Sequence, residues 1–154
     1  MKTLHVSVPD QEVRLYKDGQ LQLSLPVSTS KFGIGSEEGS NCTPLGTFQI
    51  CEKYGASSPE GTIFQGRKPT GRWNPGDETD NDLVLTRIFR LESHEPSIQN
   101  TYQRYIYFHG TNQEDLIGSP ASHGCIRLKN KDISSLYPQV SVGTPVTISN
   151  SSFS

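Results

Sequence analysis

The chain has 154 residues, enough for a single domain with one core, and 32% of them are hydrophobic, with 14 glycines and 10 prolines marking many turns. Lys plus Arg total 14 against 16 Asp plus Glu, a formal net charge of -2. That balance excludes a polyanion groove and argues against nucleic acid as partner. It also favours a loop-rich β protein over a helical bundle, which needs longer apolar-periodic stretches.

The first sixteen residues, MKTLHVSVPDQEVRLY, lack the charged start and apolar core of a secretory signal. No apolar run approaches the ~20 residues that span a bilayer. The expectation is a cytoplasmic monomer that does not meet a membrane; the alternative is a periplasmic protein whose signal was removed. Within this opening stretch Leu4, Val6 and Val8 alternate with polar residues, as in a strand. EVRLYKDGQLQLSLPVS follows, two alternating runs around Asp18-Gly19. Asp-Gly between such runs predicts a hairpin, because both central residues of a type I′ turn need positive φ.

A polar, glycine-rich loop, STSKFGIGSEEGSN, leads into TPLGTFQICEKYG, read as a turn at Pro44–Gly46 and a strand through Phe48 and Ile50. Cys42 and Cys51 are read as reduced residues of loop and strand, since no cysteine-rich framework is present. Residues 54–82 hold five glycines, three prolines and the sole tryptophan, Trp73. No period survives there, so the segment is read as a long loop, either a surface excursion pinned by Trp73 or a lid beside a cleft.

DLVLTRIFRLES is a strand with Leu85, Arg87 and Phe89 on one face. RYIYFHG is the next, with Tyr105, Tyr107 and His109 on one side and Ile106 and Phe108 on the other; Gly110 ends it. IRLKN follows Cys125, then a short helix from KDISSLY with Asn130 as N-cap, and TPVTIS closes the sheet.

HGTNQEDLIGSPASHGCIRLKN, residues 109–130, concentrates two of four histidines and one of three cysteines. A cysteine nucleophile needs a base, a group that orients the base, and donors for a developing oxyanion. His109 at a strand end supplies the base, and the Gly110 carbonyl can hold its Nδ1–H. The N–H groups of Gly124 and Cys125 can form an oxyanion hole. An unperturbed thiol is only a few per cent ionised at neutral pH, which an imidazole corrects. Two other readings stand beside this one. Cys125 is a small buried hydrophobe like most such cysteines. Or His109, His123 and Cys125 bind zinc, with a fourth ligand borrowed from His94, Cys51 or an acid, although no Cys-x-x-Cys is present.

The motif itself, His109-Gly110-Thr111, then Ser122-His123-Gly124-Cys125-Ile126-Arg127-Leu128 with residues 110–121 between His109 and Ser122, resembles the signature of the L,D-transpeptidase (YkuD-type) catalytic domain. TPLGTFQI at 43–50 resembles that family's upstream turn and strand, and the likeness covers roughly residues 3–149. It implies one mainly β domain over 1–154, a YkuD-type β-sandwich or barrel with one or two short helices. By it Cys125 is the nucleophile, His109 the base, Gly110 the orienter, His123 a support of the thiol, and the backbone of Gly124 and Cys125 the oxyanion hole. Ser122, Arg127 and Arg87 are the implied substrate-binding residues, the arginines because a guanidinium fork receives carboxylates bidentately. Arg127 stands where Asn is common in the family and marks a subgroup. No cofactor or metal is implied. The substrate would be the tetrapeptide stem of a peptidoglycan muropeptide, cut between an L-centre and D-Ala through a thioester, and carbapenems would acylate Cys125. Water as acceptor makes an L,D-carboxypeptidase of murein recycling, the reading preferred because no signal or wall-binding module accompanies the domain. An amine acceptor makes a transpeptidase that forms 3–3 cross-links. A β domain that binds wall peptides without turning them over is the non-enzymatic alternative.

Overall fold

The computed structural model describes residues 1–153, and every described strand belongs to one mixed sheet. Strand β1 (Lys2–Ser7) pairs antiparallel with β2 (Glu12–Lys17), and β2 with β3 (Gln20–Pro26). Asp18 (φ 50°) and Gly19 (φ 82°) turn the β2–β3 hairpin with the two positive φ angles its sequence predicts. Strand β10 (Pro145–Ser149) lies parallel to β1 on its other edge and antiparallel to β4 (Gly46–Tyr54). Strand β7 (Val84–Glu92) follows, with β4 along one edge and β8 (Tyr107–Gly110) along the other, and β9 (Ile126–Leu128) runs parallel to β8. Helix α1 (Asn130–Leu136) and three short 3₁₀ segments complete the fold. No helix among the described residues is long and apolar enough to cross a membrane.

The sheet closes on itself. Just beyond β3, Ser28 N–H donates to the Arg127 carbonyl at 2.8 Å and Arg127 N–H returns to the Ser28 carbonyl at 2.9 Å, joining the first hairpin to β9. The side chains confirm it: Val13 and Leu15 of β2, Phe48 and Ile50 of β4, Phe108 of β8 and Ile126 of β9 share one core, with Ile133 and Leu136 of α1. The mainly β fold follows the sequence expectation.

Four local expectations differ. Residues 54–82 are not one long loop, because β5 (Thr62–Gln65) and β6 (Lys68–Arg72) form a hairpin there and β5 adds to the edge of β7 at Ile63–Leu85. Only Thr62 and Phe64 alternate inward and β6 is wholly exposed, so no hydrophobic period announces the pair. The strand before His109 begins at Tyr107, since Tyr105 takes φ 56° and breaks extended backbone. In β7 the register slips between Leu85 and Ile88, and Thr86, fully buried, sits at φ 76°, a conformation β-branched residues rarely adopt. Lys129, not Asn130, caps α1, and the Asn130 side chain is engaged elsewhere.

Phe89 is fully buried between the rings of Phe108 (6.1 Å) and Tyr137 (5.7 Å). Phe89→Ala should lower unfolding stability by about 3–5 kcal/mol, read from the urea midpoint at unchanged slope; a loss under ~1 kcal/mol would contradict this packing.

Candidate active site

Two strands only a few residues long make the site. In the parallel β8–β9 pair His109 stands opposite Arg127 and Phe108 opposite Ile126. Side chains alternate along a strand, so Tyr107, His109, Cys125 and Arg127 share one face while Phe108, Ile126 and Leu128 enter the core from the other. Cys125, one step before β9, is therefore a diagonal neighbour of His109, within ~7–8 Å between backbones and closer between side chains.

His109 is buried, and its Nδ1 lies 2.5 Å from the Gly110 carbonyl. A carbonyl only accepts, so Nδ1 carries the proton and Nε2 is the basic nitrogen. Burial lowers the imidazole pKa, opposed in part by that bond, and keeps the ring neutral as a base must be. Gly110 has to be glycine: a Cβ there would lie 2.8 Å from the Leu85 carbonyl and closer still to Asn130 Oδ1. The turn after His109 is braced from the β7 bulge. Thr86 Oγ1 donates to Asn130 Oδ1 at 2.5 Å and accepts Gly61 N–H at 3.0 Å, while Asn130 Nδ2 donates to the Thr111 carbonyl at 2.8 Å.

The Cys125 thiol donates to the Tyr105 carbonyl at 3.4 Å rather than to His109. It packs on a small cluster of Phe64, Ile88 and Tyr107. Burial there pushes the thiol pKa up to about 11, against the pull of the Tyr107 N–H and of the Arg127 and Arg104 charges. Such a thiol is protonated at neutral pH, so its ionisation must be coupled to transfer onto a neighbouring base.

Gly124 (φ 119°) allows the turn into Cys125, and a side chain there would press on the Cys42 carbonyl at 3.2 Å. The Gly124 N–H goes to Ser122 Oγ at 3.3 Å, and Ser122 Oγ donates to the Cys125 carbonyl at 2.7 Å. Ser122 thus braces the turn, and its buried hydroxyl does not face a ligand. The Cys125 N–H has no acceptor among the described residues. The upstream TPLG turn reaches the same place, since Thr43 Oγ1 donates to the Gly124 carbonyl at 3.0 Å.

His123 is half exposed, with Nδ1 3.3 Å from Asp82 Oδ2 and its ring 5.8 Å from that of Phe32. Asp82 Oδ1 accepts from Arg127 Nη1 at 3.0 Å, and Gln113 Oε1 accepts from the same nitrogen at 2.7 Å. Arg127 is wholly buried, so its guanidinium is a fixed charge behind the thiol and imidazole and is not presented to solvent. Arg87 donates to the Ser58 and Thr86 carbonyls beside the Tyr137 ring, away from the cysteine. Among the described residues no three His, Cys, Asp or Glu side chains are grouped to hold a metal. Cys51 donates to the Arg90 carbonyl from β4 and Cys42 to the Phe32 carbonyl. Asp82, Tyr105 and Thr86 were not marked by any sequence motif, and Asn130 was marked only as the N-cap of a short helix.

A closed mixed sheet that sets a histidine on one strand diagonally across from a cysteine just before the neighbouring parallel strand defines a class of cysteine–histidine domain. The chain belongs to the L,D-transpeptidase catalytic domain (YkuD) family, whose model matches residues 1–148. It is similar to the "Probable L,D-transpeptidase YcfS" of Escherichia coli (strain K12), 51% identical over 126 residues, 80% of this chain and 38% of that protein. Among solved structures, an L,D-transpeptidase from Mycobacterium smegmatis superposes with TM-score 0.63 at 19% identity, over 96% of this chain and 58% of that one. L,D-transpeptidase 3 from Mycobacterium tuberculosis, in complex with a faropenem-derived adduct, gives TM-score 0.62 at 19% identity, over 96% and 59%. At that identity the structures show a shared fold, and the chain spans less than two thirds of each of these proteins.

The raised thiol pKa sets an expectation. Alkylation of Cys125 by iodoacetamide follows the thiolate, so its rate should be slow at pH 7 and climb towards a midpoint near 11. A free cysteine levels off above about 8.5. Peptide-level mass spectrometry across pH 6–11 reads it, and a plateau for Cys125 below pH 9 would contradict the buried thiol.

Proposed function

We propose that the domain is a cysteine acyl-transfer enzyme cutting the bond between an L-configured centre and D-Ala in a peptidoglycan stem tetrapeptide, with water as acceptor. The observation that carries it is the β8–β9 register, which puts Cys125 diagonally across from a neutral His109 whose Nδ1 is held by the Gly110 carbonyl. Rotation of the thiol from the Tyr105 carbonyl brings Sγ–H to His109 Nε2, which takes the proton as the sulfur attacks the L-centre carbonyl. The oxyanion faces the Cys125 N–H. The imidazolium then protonates the leaving amine of D-Ala, a thioester remains on Cys125, and a water deprotonated by His109 releases the tripeptide. The buried Arg127 charge favours both the thiolate and the neutral imidazole, and Asp82 holds His123 against the turn.

What supports water over an amine is the size of the cleft. The recess that includes Cys125 and His123 has about 310 Å³, at the small end of ligand sites, room for one short peptide. The enzyme would then trim free muropeptides in murein recycling. A transpeptidase that forms 3–3 cross-links is the second reading, favoured by the name of the similar Escherichia coli protein.

Wild-type protein should convert a disaccharide tetrapeptide into tripeptide and D-Ala with cross-linked dimer a minor product. Cys125→Ala should lose at least ~10⁴-fold with the fold intact, and Cys42→Ala should change little. Product mass analysis and circular dichroism read these outcomes. Retained release in Cys125→Ala would sink the mechanism, and dominant dimers would turn the acceptor to an amine. Imipenem, a carbapenem, should add its mass to wild type and not to Cys125→Ala.

A further inference from the structure

The sequence pointed to Arg127 and Arg87 as carboxylate readers; Arg127 is wholly buried and bonded through Nη1 alone, and Arg87 is bonded to backbone carbonyls. A different arginine, outside the recess that Arg104 lines, reaches the residues on which Cys125 packs. We infer that Arg67, with the Tyr105 ring as its platform, binds a carboxylate of the peptide donor. The inference rests on the acyl-transfer reading of the Cys125 site.

Arg67 is at the tip of the β5–β6 hairpin, in the two-residue turn Gly66–Arg67, where φ is 56° and 67°. Turns of this kind favour Asn-Gly, with the glycine second. Here the second place holds a long cationic side chain in the left-handed region, a conformation that glycine adopts more readily. Left-handed non-glycine residues gather at ligand clamps, and the contacts of this one lead to the nucleophile. Arg67 Nη1 donates to Tyr107 Oη at 3.2 Å, and Tyr107 belongs to the cluster on which Cys125 packs. The guanidinium also lies 5.5 Å from the centroid of the Tyr105 ring. That ring is half exposed, its residue is itself left-handed at φ 56°, and its carbonyl holds the Cys125 thiol. Two tyrosines thus tie Arg67 to the sulfur, one through a side chain and one through the backbone.

The other arginines around the site are bonded within the protein, although Nε and Nη2 of Arg127 and Nε of Arg90 are buried with no partner among the described residues. Arg127 is bonded to Asp82 and Gln113. Arg90 is paired with Glu52 and the Tyr102 carbonyl. Arg104 donates to the carbonyls of Cys42 and Gly35, stapling the glycine-rich loop to the cleft. Arg67 has a single neutral phenol as partner, and no carboxylate of the described residues lies within ion-pair distance of it. Four of its five N–H groups are open to a bidentate acceptor. The donor offers two carboxylates, the C-terminal one of D-Ala and the free one of the diamino acid. The shared chemistry is a carboxylate held at the cleft mouth, and the experiment separates the sources.

kcat and KM for release of the C-terminal residue are measured for wild type, Arg67→Ala, Arg67→Lys and Arg67→Gly. Three tetrapeptides are used: unmodified, amidated at the C-terminus, and amidated at the diamino acid. Wild type should lose about tenfold in kcat/KM, mainly through KM, on one amide, and that amide names the carboxylate. Arg67→Ala should lose about tenfold on the unmodified peptide and nothing further on that amide; Arg67→Lys should recover part. Arg67→Gly suits the left-handed turn and should match Arg67→Ala in kinetics without loss of stability, which separates charge from folding. Identical ratios across the three peptides in wild type and Arg67→Ala would overturn the inference. If wild type releases nothing, the acyl-transfer reading falls. Calorimetry of the unmodified tetrapeptide with Cys125→Ala then decides Arg67 by itself: adding Arg67→Ala should weaken Kd about tenfold, and an unchanged Kd overturns the inference.

Discussion

Everything at the site depends on a parallel pairing three residues long. The β8–β9 ladder sets His109 against Arg127 and so fixes which side chains share the open face. A slip of one residue would send Cys125 and Arg127 into the core and Ile126 out. Parallel strands also need a long connection, and residues 111–125 supply it with no more than the three-residue 3₁₀ segment Glu114–Leu116. Such a short ladder has little stability of its own. It is held by what surrounds it: the Ser28–Arg127 pair on one side, β7 on the other, and the apolar residues Phe108, Ile126 and Leu128 beneath.

The same economy appears in the polar groups. Ser122, Thr43, Thr86 and Asn130 are short side chains, fully or almost fully buried, and each ties backbone that is not part of a ladder. Buried irregular backbone has to find partners. The loops at 109–125 are consequently rigid where the chemistry needs rigidity, and the exposed His123 and Tyr105 and the half-buried Arg67 stand on top of that frame.

Much of the architecture was legible from residues that act locally. Asp18-Gly19 dictates its turn whatever surrounds it, and Leu4, Val6, Phe48 and Ile50 announce their strands by alternation. The pairing of His109 with Cys125 was legible from the motif. What could not be read depends on distant contacts. Thr86 and Tyr105 take left-handed angles that their side chains disfavour, and Thr86 does so because Asn130 and Gly61 hold it. The hairpin at 62–72 forms because the edge of β7 accepts it, although its second strand has no buried face. Asp82 is one acid in a polar stretch, and only the folded chain shows that it joins His123 to Arg127. The arginines are the clearest case: their type suggested carboxylate binding, but burial decided which of them face inward.

The position of β10 carries a consequence for biosynthesis. It lies between β1 and β4, so the amino-terminal hairpin has no neighbour on that edge until the last strand exists. A ribosome releases residues 145–149 after the other nine strands of the sheet, and the tunnel delays them further. During that interval the apolar faces of β1 and β2 and the exposed edge of β4 lack their partner, a situation that invites intermolecular strand pairing. The domain should therefore complete its core only once residues 145–149 have left the tunnel, and its yield in cells should depend on chaperones that shield a nascent edge more than on the stability of the finished barrel.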